Sequence, residues 1–303
     1  MMIADAHCHF FSSHFLELLS EPIKDLPSEG RAAAVASRLG WSDPGEAATL
    51  AAVWIDELDR NAVSRAALIA SVPGDEISVA EAVRLHPDRF VGFFMFNPVA
   101  PGADERIERA FAALHFRCVC LFPAMHRYRL DEARVAAVFE SAARSRAAVF
   151  VHCGVLSVGV RGKLGLPSPF DLRLGDPLAL AAVAAAYPSV PVIVPHFGAG
   201  RFQEALMAAD QCPSIHFDSS SSNGWMKYYP GLTLDTVFRQ ALAVVGPRRL
   251  LFGTDSSFFP RGWQRPVLDA QLAAMTTIGV TDADRELILA GNFNRLFNDV
   301  GLT

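Results

Sequence analysis

Short, almost wholly apolar runs alternate along the chain with longer stretches whose apolar residues recur every three or four positions. The short runs, at residues 3–6, 66–71, 90–96, 118–122, 147–151, 190–195, 214–217 and 249–253, predict strands. Residues 50–61, 103–114, 131–144, 177–187, 202–209 and 234–245 carry helical spacing, and a further helical stretch at 77–85 links the second and third runs. Several of the strands lack polar alternation, as parallel strands covered on both faces do. Eight strands followed by helices is the count of an α/β (β/α)8 TIM barrel. A doubly wound sheet is the alternative, but no G-x-G-x-x-G follows the first run. One TIM-barrel domain over residues 1–303 is therefore expected.

Two stretches exceed what a minimal barrel needs. Residues 10–49, with helical pieces around Leu16 and at 32–39, follow the first strand, and the Gly- and Pro-rich residues 154–176 follow the fifth. Both leave the carboxyl ends of strands, where barrel active sites are built, so they are expected to wall or cover a pocket.

The polar residues that interrupt this pattern carry the candidate chemistry. The chain opens on Asp5-Ala6-His7-Cys8-His9-Phe10. Residues two apart on a strand share a face, so His7 and His9 project together and suit one metal ion, although a lone His-x-His is a weak pattern. The fifth run ends at His152, the sixth at His196 and the eighth at Asp255. In a closed parallel barrel those ends converge, so the five side chains are expected around one point. Asp5 is expected on the same strand face as the two histidines but deeper, in a supporting role.

Composition narrows the classes. Half of the 303 residues are hydrophobic (51%), enough for a large core without staples. The formal charge of −5 and the lack of a Lys/Arg run argue against a nucleic-acid partner. Five cysteines with no C-x-x-C read as reduced thiols, and no apolar stretch reaches the ~20 residues of a membrane span. A cytoplasmic, soluble protein without a signal peptide or a membrane contact is expected.

The segments D-A-H-C-H-F, V-H-C-G, P-H-F-G and F-G-T-D together resemble the amidohydrolase superfamily. The likeness is to its amidohydrolase-related branch, which includes aminocarboxymuconate-semialdehyde decarboxylase and related aromatic-acid decarboxylases and hydrolases. It extends to Pro177, Tyr187-Pro188, Gly291-Asn292 and Arg295-Leu296-Phe297. The resemblance implies a barrel in which His7, His9, His152 and Asp255 ligate a divalent metal, Zn by preference with Mn allowed, and water completes the shell. It also implies that His196 sits beside the water, and that Asp255 both ligates and accepts a proton. Binuclear members carry a Lys or a carboxylate at the end of the fourth strand. Here that region reads Cys118-Val119-Cys120-Leu121-Phe122-Pro123, so one metal is expected rather than two.

Phe10, Phe11, Phe94, Phe96, Phe122, Phe197, Phe258 and Phe259 lie near strand ends, which favours a planar or apolar substrate body. Phe10, Phe122, His126, Phe197 and Arg261 are the candidate substrate contacts. Arg161, Lys163, Arg173, Arg201 and Lys227 are further loop cations able to hold a carboxylate. Two reactions fit: hydrolysis of a lactone, amide or C–C bond by activated water, which is preferred, and non-oxidative decarboxylation of an aromatic or dienoic acid. A metal-binding scaffold without catalysis is the remaining reading. A small-molecule substrate is expected, and a homodimer is allowed, with Trp225–Tyr229 as interface or pocket rim.

Overall fold

The computed structural model describes residues 2–298. Eight parallel strands follow one another in sequence order around a single sheet: β1 (Ala4–His9), β2 (Arg65–Ala70), β3 (Phe90–Phe96), β4 (Cys118–Leu121), β5 (Ala148–Val151), β6 (Val192–Val194), β7 (Ile215–Asp218) and β8 (Leu250–Leu251). The sheet closes where β8 returns to β1. The Ala6 amide donates to the Phe252 carbonyl (2.8 Å), the Asp255 amide to the His7 carbonyl (2.9 Å) and the His9 amide to the Ser256 carbonyl (2.7 Å). The protein is a TIM barrel, as the run of apolar segments predicts.

Helices cover the outside. The connection from β1 to β2 holds α1 (Ser13–Ser20), α2 (Arg31–Leu39) and α3 (Ala47–Arg60), and α4 (Glu76–Leu85) precedes β3. Then come α5 (Ala103–Ala112), α6 (Pro123–His126), α7 (Ala133–Arg144), α8 (Gly159–Lys163), α9 (Pro177–Ala186), α10 (Phe202–Gln211) and α11 (Leu234–Val245). After β8 follow α12 (Arg265–Thr277), α13 (Asp282–Glu286) and α14 (Asn292–Phe297).

Period-2 alternation sorts the strand side chains into two cores. Leu68, Phe94, Val119, Val149, Val192 and Phe217 point outward to the helices. Ile69, Phe93, Cys118, Cys120, Phe150 and Ile193 point inward and fill the barrel. Phe293 and Phe297 of α14 join that inner group and plug its amino end, with the Phe297 ring 5.0 Å from that of Phe93. A third cluster joins the two long insertions, packing Phe15, Leu16 and Val35 of α1 and α2 against Val160 and Leu164 in and beside α8.

One expectation fails inside β1. Asp5 pairs with Ala66 and Cys8 with Leu68, so three steps on β1 match two on β2 and the strand carries a bulge. The extra residue turns Asp5 away from the face of His7 and His9. Asp5 lies instead on the outer side, fully buried, accepting from the Thr254 hydroxyl (2.5 Å) and the Trp263 indole (2.7 Å). It is part of the seam between β1 and β8. Burial, only partly offset by these bonds, lifts its carboxyl to about 6.

Candidate metal centre

Each side chain of the centre stands where an apolar strand stops. His7 and His9 end β1 on one face, and the loop after β8 brings Asp255 against them with φ of 62°, a left-handed backbone. His9 Nε2 is 3.0 Å from Asp255 Oδ1, His7 Nε2 is 3.6 Å from the same oxygen, and the two Nε2 atoms are 3.3 Å apart. An ion of the zinc type binds N and O ligands at about 2.0–2.2 Å, which sets neighbouring ligand atoms about 3.0–3.5 Å from one another. Two of the three spacings fall in that range, and the third, at 3.6 Å, lies just beyond it.

The far sides of both rings are pinned. His7 Nδ1 meets Asp218 Oδ2 at 2.6 Å, and His9 Nδ1 meets Ser71 Oγ at 2.7 Å. A carboxylate only accepts, so His7 carries its proton on Nδ1 and turns an Nε2 lone pair to the centre, the arrangement that orients metal-binding histidines. Three close lone pairs repel unless a positive charge sits among them. The electrostatics of the group carry the same demand. Burial works against charge on His7, but Asp218, Asp255 and Asp5 outweigh it and raise the ring's pKa. Burial likewise opposes charge on Asp255, yet the His9 bond and the nearby His7 and His196 hold it below the carboxylate range. A bound divalent cation meets the same demand as a proton, so the donor set fits a metal.

The remaining strand-end histidines complete the rim without joining that trio. The His196 ring is 5.0 Å from His7 and 5.4 Å from His152. His152 stacks on Phe122 (5.4 Å, 24°), and its Nδ1 is buried with no hydrogen-bond partner among the described residues. A buried nitrogen without a partner is expensive, which makes His152 a donor in search of one. Burial lowers the pKa of His9, His152 and His196.

Space at this end is tight. A Cβ on Gly253 would stand 2.6 Å from Asp218 Oδ1, 2.9 Å from Ser220 Cβ and 3.0 Å from His7 Cβ, so only glycine lets β8 approach the pinned His7. Aromatic rings line the outer side. Phe11 stacks on Phe15 (4.1 Å) and, more loosely, on Trp41 (5.7 Å), and Trp41 stacks on Phe258 (4.1 Å). The Arg261 guanidinium lies 4.7 Å over Phe258 and donates to the Asp255 carbonyl (3.1 Å) and the Ser257 hydroxyl (2.7 Å). Both acceptors are uncharged, leaving an exposed cation beside the centre. A cavity of about 650 Å³ lies elsewhere, lined by Pro98, Glu105, Glu132 and Arg134, and contains none of these groups.

Two expected substrate contacts face the wrong way. Phe10 follows His9 by one residue and so points outward, buried in the core between barrel and helices. Phe197 is likewise buried there, against Phe202, Phe217 and Phe238. Phe94 and Phe96 also face the helices. His126 is half-buried at the end of α6, and burial lowers it to about 4. Sequence reading missed Asp218, Ser71, Ser220 and Trp41. Asp218 was within reach, because it is the polar residue that ends the apolar strand β7, the same signal that marks Asp255.

A family model described as amidohydrolase matches residues 4–298. No curated protein sequence matches the chain. Among solved structures, the chain is similar to 5-carboxyvanillate decarboxylase from Sphingomonas paucimobilis (16% identity, 98% of each chain covered, TM-score 0.63). It is also similar to a dihydroxybenzoic acid decarboxylase from Polaromonas sp. JS666 with bound manganese and 2-nitroresorcinol (17%, 98% and 96% covered, TM-score 0.62). A third is a probable 2-pyrone-4,6-dicarboxylic acid hydrolase from Acinetobacter baumannii with citric acid bound (16%, 99% and 100% covered, TM-score 0.61). At these identities the likeness is one of fold.

Proposed function

The chain belongs to the amidohydrolase family, and from that premise we propose that it is a metal-dependent hydrolase acting on a small, carboxylate-bearing aromatic substrate. His7, His9 and Asp255 would hold one divalent ion, Zn or Mn, with His152 as the further donor. The observation that carries this reading is the convergence of His7 Nε2, His9 Nε2 and Asp255 Oδ1 within 3.6 Å, each histidine pinned through its other nitrogen. Such an ion lowers the pKa of bound water from 15.7 to about 7.

The chain's own groups supply the rest. Asp255 is held as an anion and suits the metal, while His196, whose pKa burial lowers, offers an unprotonated ring nitrogen; that suits taking a proton from water better than delivering one to carbon. Phe122, Phe11 and Phe258 offer flat apolar surface. Arg261, exposed and bonded among the described residues to two uncharged acceptors, offers a place for a substrate carboxylate. That same arginine favours a second reading, non-oxidative decarboxylation, because holding a carboxylate beside the metal is what that reaction needs.

Elemental analysis tests the centre. One metal ion per chain is expected, falling to background in His9→Ala. Retention of the metal by that variant would remove the assignment. A panel of lactones and aromatic acids with CO₂ detection then separates the reactions, and CO₂ release without hydrolysis would replace the first reading by the second. Arg261→Gln is expected to raise KM for carboxylate-bearing substrates by about 10–100-fold, the worth of one charged hydrogen bond.

A further inference from the structure

Beside the pinned His7 lies a hydroxyl that the metal centre does not use. Ser220 follows β7 and is completely buried. Its Oγ is 2.8 Å from His196 Nδ1, 3.0 Å from Asp218 Oδ2 and 3.0 Å from His7 Nδ1. Its backbone carbonyl is 3.2 Å from His196 Nδ1, and its amide donates to Asp218 Oδ1 at 2.7 Å. One serine thus touches two of the strand-end histidines, His7 and His196, and the Asp218 carboxylate.

Only one distribution of protons satisfies these contacts. The Asp218 carboxylate can only accept, so the His7 Nδ1 proton and the single Ser220 hydroxyl proton both point to it. Ser220 Oγ then has only lone pairs to offer, and the Ser220 carbonyl has only lone pairs as well. Both face His196 Nδ1, so that nitrogen carries the proton, and Nε2 of the neutral ring does not. With the proton on Nε2 instead, Nδ1 would oppose its lone pair to a carbonyl oxygen, and the serine hydroxyl could not satisfy ring and carboxylate together.

The backbone at His196 gives an independent reason for such a restraint. His196, Phe197 and Ala199 adopt left-handed φ of 54°, 52° and 44°, a conformation that side chains other than glycine's disfavour. Strain of this kind persists only where the surroundings over-determine the geometry. The two contacts from Ser220 to one ring nitrogen supply part of that determination.

We propose that Ser220 is a positioning residue that fixes His196 as the Nδ1–H tautomer by tethering it to the same Asp218 carboxylate that orients His7, leaving Nε2 as the free proton acceptor. The metal-binding histidine and the proton-accepting histidine thereby share one anchor, and neither ring can turn without disturbing it. The proposal deepens the hydrolase reading, on which the role of His196 rests, but its test needs no substrate.

The probe is the zinc-loaded protein with histidine-selective nitrogen-15 labelling, the His196 signals being assigned by their loss in His196→Gln. Ring-nitrogen correlations in the unmutated protein are expected to show His196 protonated at Nδ1 and bare at Nε2. In Ser220→Ala, a smaller side chain that leaves the carbonyl contact in place, the Nδ1 proton is expected to exchange with water about tenfold faster, the weight of one hydrogen bond, while zinc stays at one ion per chain. An Nε2–H tautomer in the unmutated protein, or unchanged exchange in Ser220→Ala, overturns the proposal. A protein that shows the Nδ1–H tautomer but takes up no zinc refutes the metal reading and leaves the tautomer assignment standing.

Discussion

The two ends of the barrel interior are about equally buried and chemically opposite. At the amino end, Phe93 meets Phe297, and Phe297 meets Phe293, in an apolar plug. At the carboxyl end, His7, Asp218, Ser220 and His196 are buried just as deeply but are joined by bonds of 2.6–3.0 Å. The amino end is held by volume, so a misfit there is felt as lost stability. The carboxyl end is held by donor–acceptor pairing, so a misfit there changes which lone pair faces the centre. One fold thus separates the part that keeps the barrel closed from the part that does chemistry, with no boundary other than the height along each strand.

Removing a ring from the plug tests this division most severely. Phe93→Ala is expected to lower stability by about 3–5 kcal/mol in denaturant melts, while the folded fraction still binds one metal per chain. If metal uptake fell in step with packing, the two ends would not be separate.

A smaller effect is expected where a polar group near the carboxyl end is buried at a loss. Asp75, in the loop after β2, accepts from the Ser12 hydroxyl (2.8 and 2.9 Å) and the Ser78 hydroxyl (2.6 Å), and ties α1 to the barrel. Burial outweighs those bonds and raises its carboxyl from 3.8 to about 6. The protonated form is therefore the one that folding favours. Its stabilisation is complete below pH 3.8 and is lost as the pH rises through about 6, an upper bound of about 3 kcal/mol. Asp75→Asn should flatten that part of the stability profile between pH 4 and 7, and an unchanged profile would count against a buried charge there.

The mildest variant sharpens the comparison from the other side. Ser71→Ala removes the bond to His9 Nδ1 and the hydroxyl's bond to the Ile69 carbonyl, and leaves no cavity of consequence. Metal affinity, measured by chelator competition, should fall about 10–100-fold with a melting curve close to that of the parent.

Much of this architecture was legible in the pattern of residues. β3 and α11 lie at the predicted bounds, 90–96 and 234–245, because their apolar spacing is regular and their ends are marked. The rule that a polar residue closing an apolar strand faces the centre picks out His7, His9, His152, His196 and Asp255, and the structure gathers three of these, His7, His9 and Asp255, within ligand distance. The rule missed Asp218 only because β7 was read as ending one residue short. The helices after β8 went unread for a different reason. The buried face of α12 includes Gln271, which satisfies itself on the Ser219 hydroxyl and carbonyl, and so it lacks a clean apolar stripe.

The sequence by itself determined the barrel, the heights at which polar groups appear and the choice of histidine and aspartate as donors. All of these follow from local periodicity and from what each side chain can bond. Only the tertiary structure decided which donors meet. The bulge in β1 turned Asp5 outward, the left-handed turns at His196 and Asp255 aimed their side chains, and the closure of β8 on β1 brought Asp255 to His9 across 246 residues. Those outcomes depend on register and on contacts between distant strands, which no local pattern encodes.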